Sequence, residues 1–259
     1  MAYIDLKMLN KYAVKRCRDY LELNVYGKQV VTPYYINNIQ PEFIELMRES
    51  GINEELAKKV SEKYKNKLVP YGWYRGKGTP EQLSRSAETL SDRVGLSLKN
   101  ATKNGVGEFM KLYGLGIDCS GFVYNLLEYA FHKTSLGNEF EASLDWRDEK
   151  KMGANYAGTF VFAGKASNPI TVDQARPLDL VFIKDKSKHL HMGIFLFFDR
   201  LGLCLAQSSL VTIPSGVTRT SFRVRNKKPV FGFRPSIGSM WERLYQKGIL
   251  EVRRLKIVD

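Results

Sequence analysis

Cysteine is scarce in this chain, with Cys17, Cys119 and Cys204 the only three in 259 residues. So odd and sparse a set excludes a disulfide framework and fits a reduced protein. Histidine is equally rare, and any imidazole chemistry must come from His132, His189 or His191. No continuous apolar run approaches the ~18 residues of a membrane span, and the opening Met-Ala-Tyr-Ile-Asp-Leu-Lys-Met-Leu-Asn-Lys lacks the apolar centre of a secretory signal. A soluble, cytoplasmic protein is therefore expected. No internal repeat or low-complexity segment is visible. Acidic residues are the minority, 27 against 40 basic, and the net charge of +13 favours anionic partners by steering. The basic residues are spread along the chain without an aromatic-interleaved motif, which points to a solvated basic surface rather than a dedicated nucleic-acid site. Gly76-Lys77-Gly78-Thr79 lacks the Walker spacing and its terminal Lys-Ser/Thr pair, so it is not read as a phosphate loop, and no cofactor is expected.

What the chain does have is length and apolar content, 44% hydrophobic, enough for one large domain or a domain with an extension. Its most informative stretch begins at Gly116 and reads Gly-Ile-Asp-Cys-Ser-Gly-Phe-Val. From there Cys119, Phe122, Val123, Leu126, Leu127 and Ala130 recur at helical spacing, with Asn125 and Glu128 on the other face. Asp118 suits the N-cap, which puts Cys119 in the first turn, where the helix dipole is expected to lower its thiol pKa from about 8.5 towards neutrality. Gly116 and Gly121 allow other backbone to approach on either side of the sulfur. A buried cysteine opening a core helix is the competing explanation.

A nucleophilic cysteine needs a base. His132 lies more than three turns along the same helix, about 20 Å away, and cannot serve. His189 and His191 open a β-branched and aromatic run that reads as a central strand. His189, His191, Gly193 and Phe195 share one face, Leu190, Met192, Ile194 and Leu196 the other, and Gly193 leaves space for a neighbour. On the next strand Leu203, Leu205 and Gln207 share a face, while Cys204 and Ala206 point away as core. Two imidazoles on one strand face also raise a metal reading, but no third spaced ligand accompanies them, and none is expected.

Three segments together, Asp-Cys-Ser-Gly-Phe-Val from Asp118, Pro-Leu-Asp-Leu-Val-Phe from Pro177 to Phe182, and His-Met-Gly-Ile-Phe-Leu from His191 to Leu196, resemble the NlpC family of papain-like cysteine peptidases. The resemblance implies a bacterial or phage hydrolase of cell-wall peptides, often acting between D-glutamate and a diamino acid of peptidoglycan. It assigns the nucleophile to Cys119, the base to His191 and the orienting third residue to Gln207. It also implies a tyrosine ahead of a glycine-rich loop whose hydroxyl helps to bind the oxyanion, a pattern that Tyr74 before Gly76-Lys77-Gly78-Thr79 resembles; Tyr71, Trp73 or a plain structural loop are the alternatives. The chain departs from the family in having Leu178 where glycine is common, glutamine where histidine is commoner, about seventy residues between Cys119 and His191, and about forty between the loop and Cys119. A deamidase or acyltransferase using the same dyad inside the cell, and a non-catalytic module binding wall or another anion, are the other readings.

The expected architecture is α+β: a papain-like core, with the nucleophile helix packed across the His191 face of an antiparallel sheet, after a mostly helical extension. Residues 1–69 form the extension, 70–236 the catalytic domain with an insertion at about 133–171, and 237–259 a tail. Helices are expected at Leu6–Leu23, Pro41–Glu49, Asn53–Asn66, Pro80–Val94 and Gly107–Tyr113, and strands at Leu178–Lys184, Leu190–Phe198, Gly202–Gln207, Val217–Val224 and Val230–Arg234. Gly27–Ile36, interrupted by Pro33, suits an edge strand or docking arm, with Tyr34 and Tyr35 as packing residues.

Overall fold

Asp5 starts the first helix, its carboxylate accepting from the backbone N–H groups of Lys7 and Met8 at 3.0 and 3.1 Å. The computed structural model describes residues 4–35, 76–148, 150–185, 188–200, 202–209, 215–225, 228–231 and 250–259. Helix α1 spans Leu6–Leu21 and buries Leu9, Ala13, Cys17 and Tyr20, the face expected from the sequence. A hairpin follows, β1 Leu23–Val25 and β2 Lys28–Val30, closed by Tyr26 and Gly27, both at positive φ. Thr32–Tyr35 then runs on as the docking arm: Val217 N–H donates to Thr32 O at 3.0 Å, and Ile117 N–H donates to Pro33 O at 3.0 Å.

Helix α2, Pro80–Arg93, opens with a capping box between Thr79 and Gln82, and Pro80 sits where its missing N–H costs nothing. Helix α3 spans Lys103–Leu112, α4 Cys119–Lys133, α5 Gly137–Ser143 and α6 Thr159–Ala163. The strands are β3 Ser167–Ile170, β4 Leu180–Asp185, β5 Lys188–Asp199, β6 Gly202–Ser209, β7 Gly216–Arg225, β8 Lys228–Phe231 and β9 Leu250–Leu255. They form a seven-stranded sheet in the order β3-β9-β4-β5-β6-β7-β8, with every neighbouring pair antiparallel. Helices mostly first and an antiparallel sheet after them make the chain α+β, as expected. The helices expected at Pro41–Glu49 and Asn53–Asn66 lie outside the described residues.

The C-terminal stretch joins the sheet: β9 is an inner strand between β3 and β4, pinned there by Arg254 on β9, whose guanidinium grips the fully buried Asp179 at 2.8 and 2.9 Å. Part of the insertion expected at about 133–171 lies in the core: Phe140 stacks on Phe131 with ring centroids 4.8 Å apart, and Val161, Phe162 and Ala163 are buried there. Fully burying a phenylalanine contributes about 1.5–3 kcal/mol, which explains why this stretch folds into the core.

One expectation of the fold needs correction, the face on which α4 packs. Met192, Ile194, Leu196 and Ala206 join the main core with Phe122, Val123 and Leu126, whereas Phe195 joins a second cluster with Val181, Leu203, Leu205, Phe222 and Val252. By the period of two, His191 and Gly193 belong to the Phe195 side. The helix therefore packs on the Met192 face, because that face carries the branched and flexible side chains that fill against Phe122 and Leu126.

Candidate active site

The turn before α4 is held from three directions through one residue. Ile117 N–H donates to Pro33 O at 3.0 Å, and its carbonyl accepts from Tyr35 N–H at 3.1 Å and from Ser208 Oγ at 2.7 Å. Gly76–Lys77 lies along its other edge, where Asp118 N–H donates to Gly76 O at 2.9 Å. The docking arm, the Gly76 loop and β6 thus meet at the residue two before Cys119. The glycines expected to permit close approach do so here. A side chain at Gly116 would put its Cβ 2.5 Å from Pro33 O, and one at Gly121 would collide with Gly76 O.

Asp118 caps α4 as its position foretold, accepting from Gly121 N–H at 2.6 Å. The same oxygen, Oδ1, accepts from Ser120 Oγ at 3.2 Å and from the Lys77 ammonium at 2.8 Å. Lys77, only 9% exposed, also donates to Ser120 Oγ at 2.6 Å and Ala157 O at 2.7 Å. Asn125, expected on the solvent side of α4, is buried and ties this loop down by donating to Lys77 O and Gly121 O at 3.0 and 2.8 Å. The sequence offered no sign of Lys77, since a lysine between two glycines reads as a solvated loop.

The sulfur of Cys119 meets β5 at Met192. Towards the start of β5 the described pairing with β6 goes no further than Ile194↔Ala206, and there the α4 turn meets both strands: Ser208 Oγ binds Ile117, and the Met192 N–H is directed at the Cys119 sulfur. Met192 follows His191 directly. His191, half-buried, places Nε2 2.7 Å from Gln207 Oε1. An amide oxygen only accepts, so Nε2 carries the hydrogen and Nδ1 keeps its lone pair. Gln207 Nε2 is buried without a partner, so this amide is aligned for His191 rather than for its own satisfaction. Gly193 makes the alignment possible, as a Cβ there would lie 3.0 Å from Ala206 O and 3.4 Å from Gln207 Cβ.

The electrostatics correct one expectation. Burial first, and then the charge of Asp118, push the Cys119 thiol up to about 11, against the opposing pull of the Met192 and Ser120 N–H groups and of Lys77. The thiol, 7% exposed, is not poised near neutrality. Burial outweighs the helix terminus because desolvation acts on the whole thiolate charge and the dipole supplies only a partial one. Cys17 and Cys204 are likewise raised by burial, to about 12 and 11, so thiol acidity does not single out Cys119. Its neighbours do. Burial also holds His191 below the ordinary imidazole range, opposed by the Gln207 bond and by Asp118, which favours the neutral form that can accept a proton.

Of the residues expected to act together, Cys119 lies beside the residue that follows His191, and His191 is bonded to Gln207. Tyr74, Tyr71 and Trp73 lie outside the described residues, as does the His189 side chain on which the metal reading turned; among the described residues no His, Cys, Asp and Glu cluster could hold a metal ion. Tyr34, expected to be packing, is half-buried: its backbone bridges to Ile117, and burial first, with Cys119 and Asp118 adding to it, pushes its phenol well up, so it remains a hydrogen-bond donor. Among the described residues no helix is long and apolar enough to cross a membrane. No family model matches the chain, and no curated protein is significantly similar to it.

Proposed function

We propose that this chain is a thiol-dependent hydrolase of amide bonds on a papain-like core, with Cys119 as nucleophile, His191 as base and Gln207 as the residue that orients the imidazole. One observation carries the reading: a histidine whose tautomer is fixed by a buried amide oxygen 2.7 Å away, on the strand position next to the N–H that faces a helix-capped cysteine sulfur. The resting pair is neutral, since thiol and imidazole are both held in their uncharged forms. Nδ1 of His191 takes the thiol proton as the sulfur attacks a carbonyl carbon, and the imidazolium so formed keeps its Nε2–H on Gln207. Negative charge on the carbonyl oxygen is met by the Cys119 backbone N–H, which as a first-turn donor has no helical acceptor, and by a phenol. Tyr74 holds that role in the family resemblance. His191 then protonates the leaving amine, and a water deprotonated by the same nitrogen hydrolyses the thioester. The motifs shared with the NlpC family favour a peptidoglycan stem peptide as substrate.

Purified peptidoglycan treated with wild type, Cys119→Ala and His191→Ala, and read by mass spectrometry for new amines and fragments, tests this. Cleavage by the wild type alone is expected and identifies the bond. Turnover retained by Cys119→Ala contradicts the assignment of the nucleophile.

A further inference from the structure

The buried ammonium at the start of α4 has no place in the reaction as described so far. Lys77 sits on the loop before α2, and its three acceptors, Asp118 Oδ1, Ser120 Oγ and Ala157 O, match the three N–H bonds of an ammonium at 2.8, 2.6 and 2.7 Å. A Ser120–Lys77 base pair of the serine-hydrolase kind is excluded by that geometry, because a lysine with all its hydrogens engaged, one of them on a carboxylate, has no lone pair to offer. The residue is also not a substrate clamp, having no donor left.

Its position is informative in relation to Cys119. Asp118 must stand next to the sulfur to cap α4, and its negative charge opposes formation of a thiolate one residue away. The charged and titratable groups around that sulfur are Asp118 on its own turn, Tyr34 on the docking arm, His191 on β5 and Lys77, and Lys77 is the basic side chain paired with Asp118. We propose that Lys77 is a positioning residue of the Cys119 centre, an internal counter-charge that offsets part of the Asp118 charge and so eases formation of a thiolate in the capped turn. This rests on Cys119 being the nucleophile. Within it, Lys77 separates two demands that conflict on one turn: the helix needs an anionic cap, and the sulfur needs to become an anion.

Alkylation of Cys119 by iodoacetamide in the full chain, followed at pH 7 to 9.5 through the mass of the Cys119 peptide, reads how readily the sulfur gives up its proton, without a substrate. Lys77→Met, with its fold checked by circular dichroism, is expected to slow the reaction on the order of tenfold at every pH, one pKa unit being a factor of ten, and Lys77→Arg to restore most of it. Loss of a merely structural tether would expose the sulfur and speed the reaction, so an unchanged or faster rate overturns the proposal. Should Lys77→Met not fold, Asp118→Asn is compared with Asp118→Asn/Lys77→Met, which leaves no unpaired carboxylate. The single variant is expected to react about tenfold faster than the double, and equal rates overturn the proposal. Turnover that survives Cys119→Ala instead removes the nucleophile itself, a failure distinct from either result.

Discussion

Two acids in this molecule, Asp179 fully buried and Asp118 half-buried, are each answered by a base, and only one of the pairs lies at the proposed active site. Asp179 is fully buried and gripped by both nitrogens of the Arg254 fork, with the Arg176 N–H on its second oxygen at 2.8 Å. Asp118 is answered by the single ammonium of Lys77, which it shares with Ser120 and Ala157. Arginine suits the first task because a planar fork fixes a strand in direction as well as position, and β9 is held at its place in the sheet by that grip. Lysine suits the second because a point charge can serve three acceptors from three segments. A buried ion pair is therefore no mark of a functional site. What separates the two is company: a cysteine sulfur, a directed strand N–H and an amide-bound imidazole surround Asp118, and backbone and core surround Asp179.

The comparison can be broken from either side. The largest effect is expected from Asp179→Ala, which strands Arg254 and the Arg176 N–H; it should cost about 3–5 kcal/mol and lower the melting temperature by roughly 10 °C in thermal denaturation. Alkylation of Cys119 should be unchanged by it below the transition, and a matching loss of thiol reactivity would erase the distinction drawn between the pairs. Gln207→Met, which keeps the volume of this fully buried side chain, is expected to do the reverse. Steady-state kinetics should show kcat lowered about 10- to 100-fold, some 1.4–2.7 kcal/mol, with little change in melting temperature, because the imidazole is freed to turn while the core stays filled.

The smallest effect lies in the pH profile. Burial lowers the His191 pKa, so the neutral base persists below the ordinary value of about 6.5, and activity is lost only as pH falls through the lower, folded-state value. The same shift bears on stability with a defined sign: protons bind the unfolded chain first, so stability falls as pH drops below about 6.5 and stops falling once the folded histidine is also charged. Gln207→Glu, which sets a carboxylate against Nε2, should move the acid limb of kcat/KM upward by about one pH unit.

Much of this site is local in sequence, and that part was legible. Asp118 as cap, Cys119 in the first turn, the alternation that sets His191 and Gly193 apart from Met192, and Gln207 sharing a face with Leu205 all follow from periods of 3.6 and 2. The rest depends on segments far apart in the chain. Nothing near Leu250 says that β9 enters between β3 and β4, since strand order is settled by what else must be covered. Lys77 looks solvated until Asp118 and Ala157, 41 and 80 residues away, close over it. The face on which α4 packs, and with it the desolvation that raises the Cys119 thiol, is likewise a property of the assembled core. Leu178 shows the opposite case. It stands where the resembling family commonly has glycine, it adopts φ +76°, and it keeps leucine there because the side chain is buried.

The most direct test of the central claim needs no substrate: the rate of Cys119 alkylation at pH 7 in the wild type beside His191→Ala, both verified as folded. If His191 draws the proton from the thiol, the wild type should react about 100-fold faster, within the range that a positioned base contributes. Equal rates would mean that the imidazole bound to Gln207 does not serve the sulfur, and the catalytic reading of this site would be wrong.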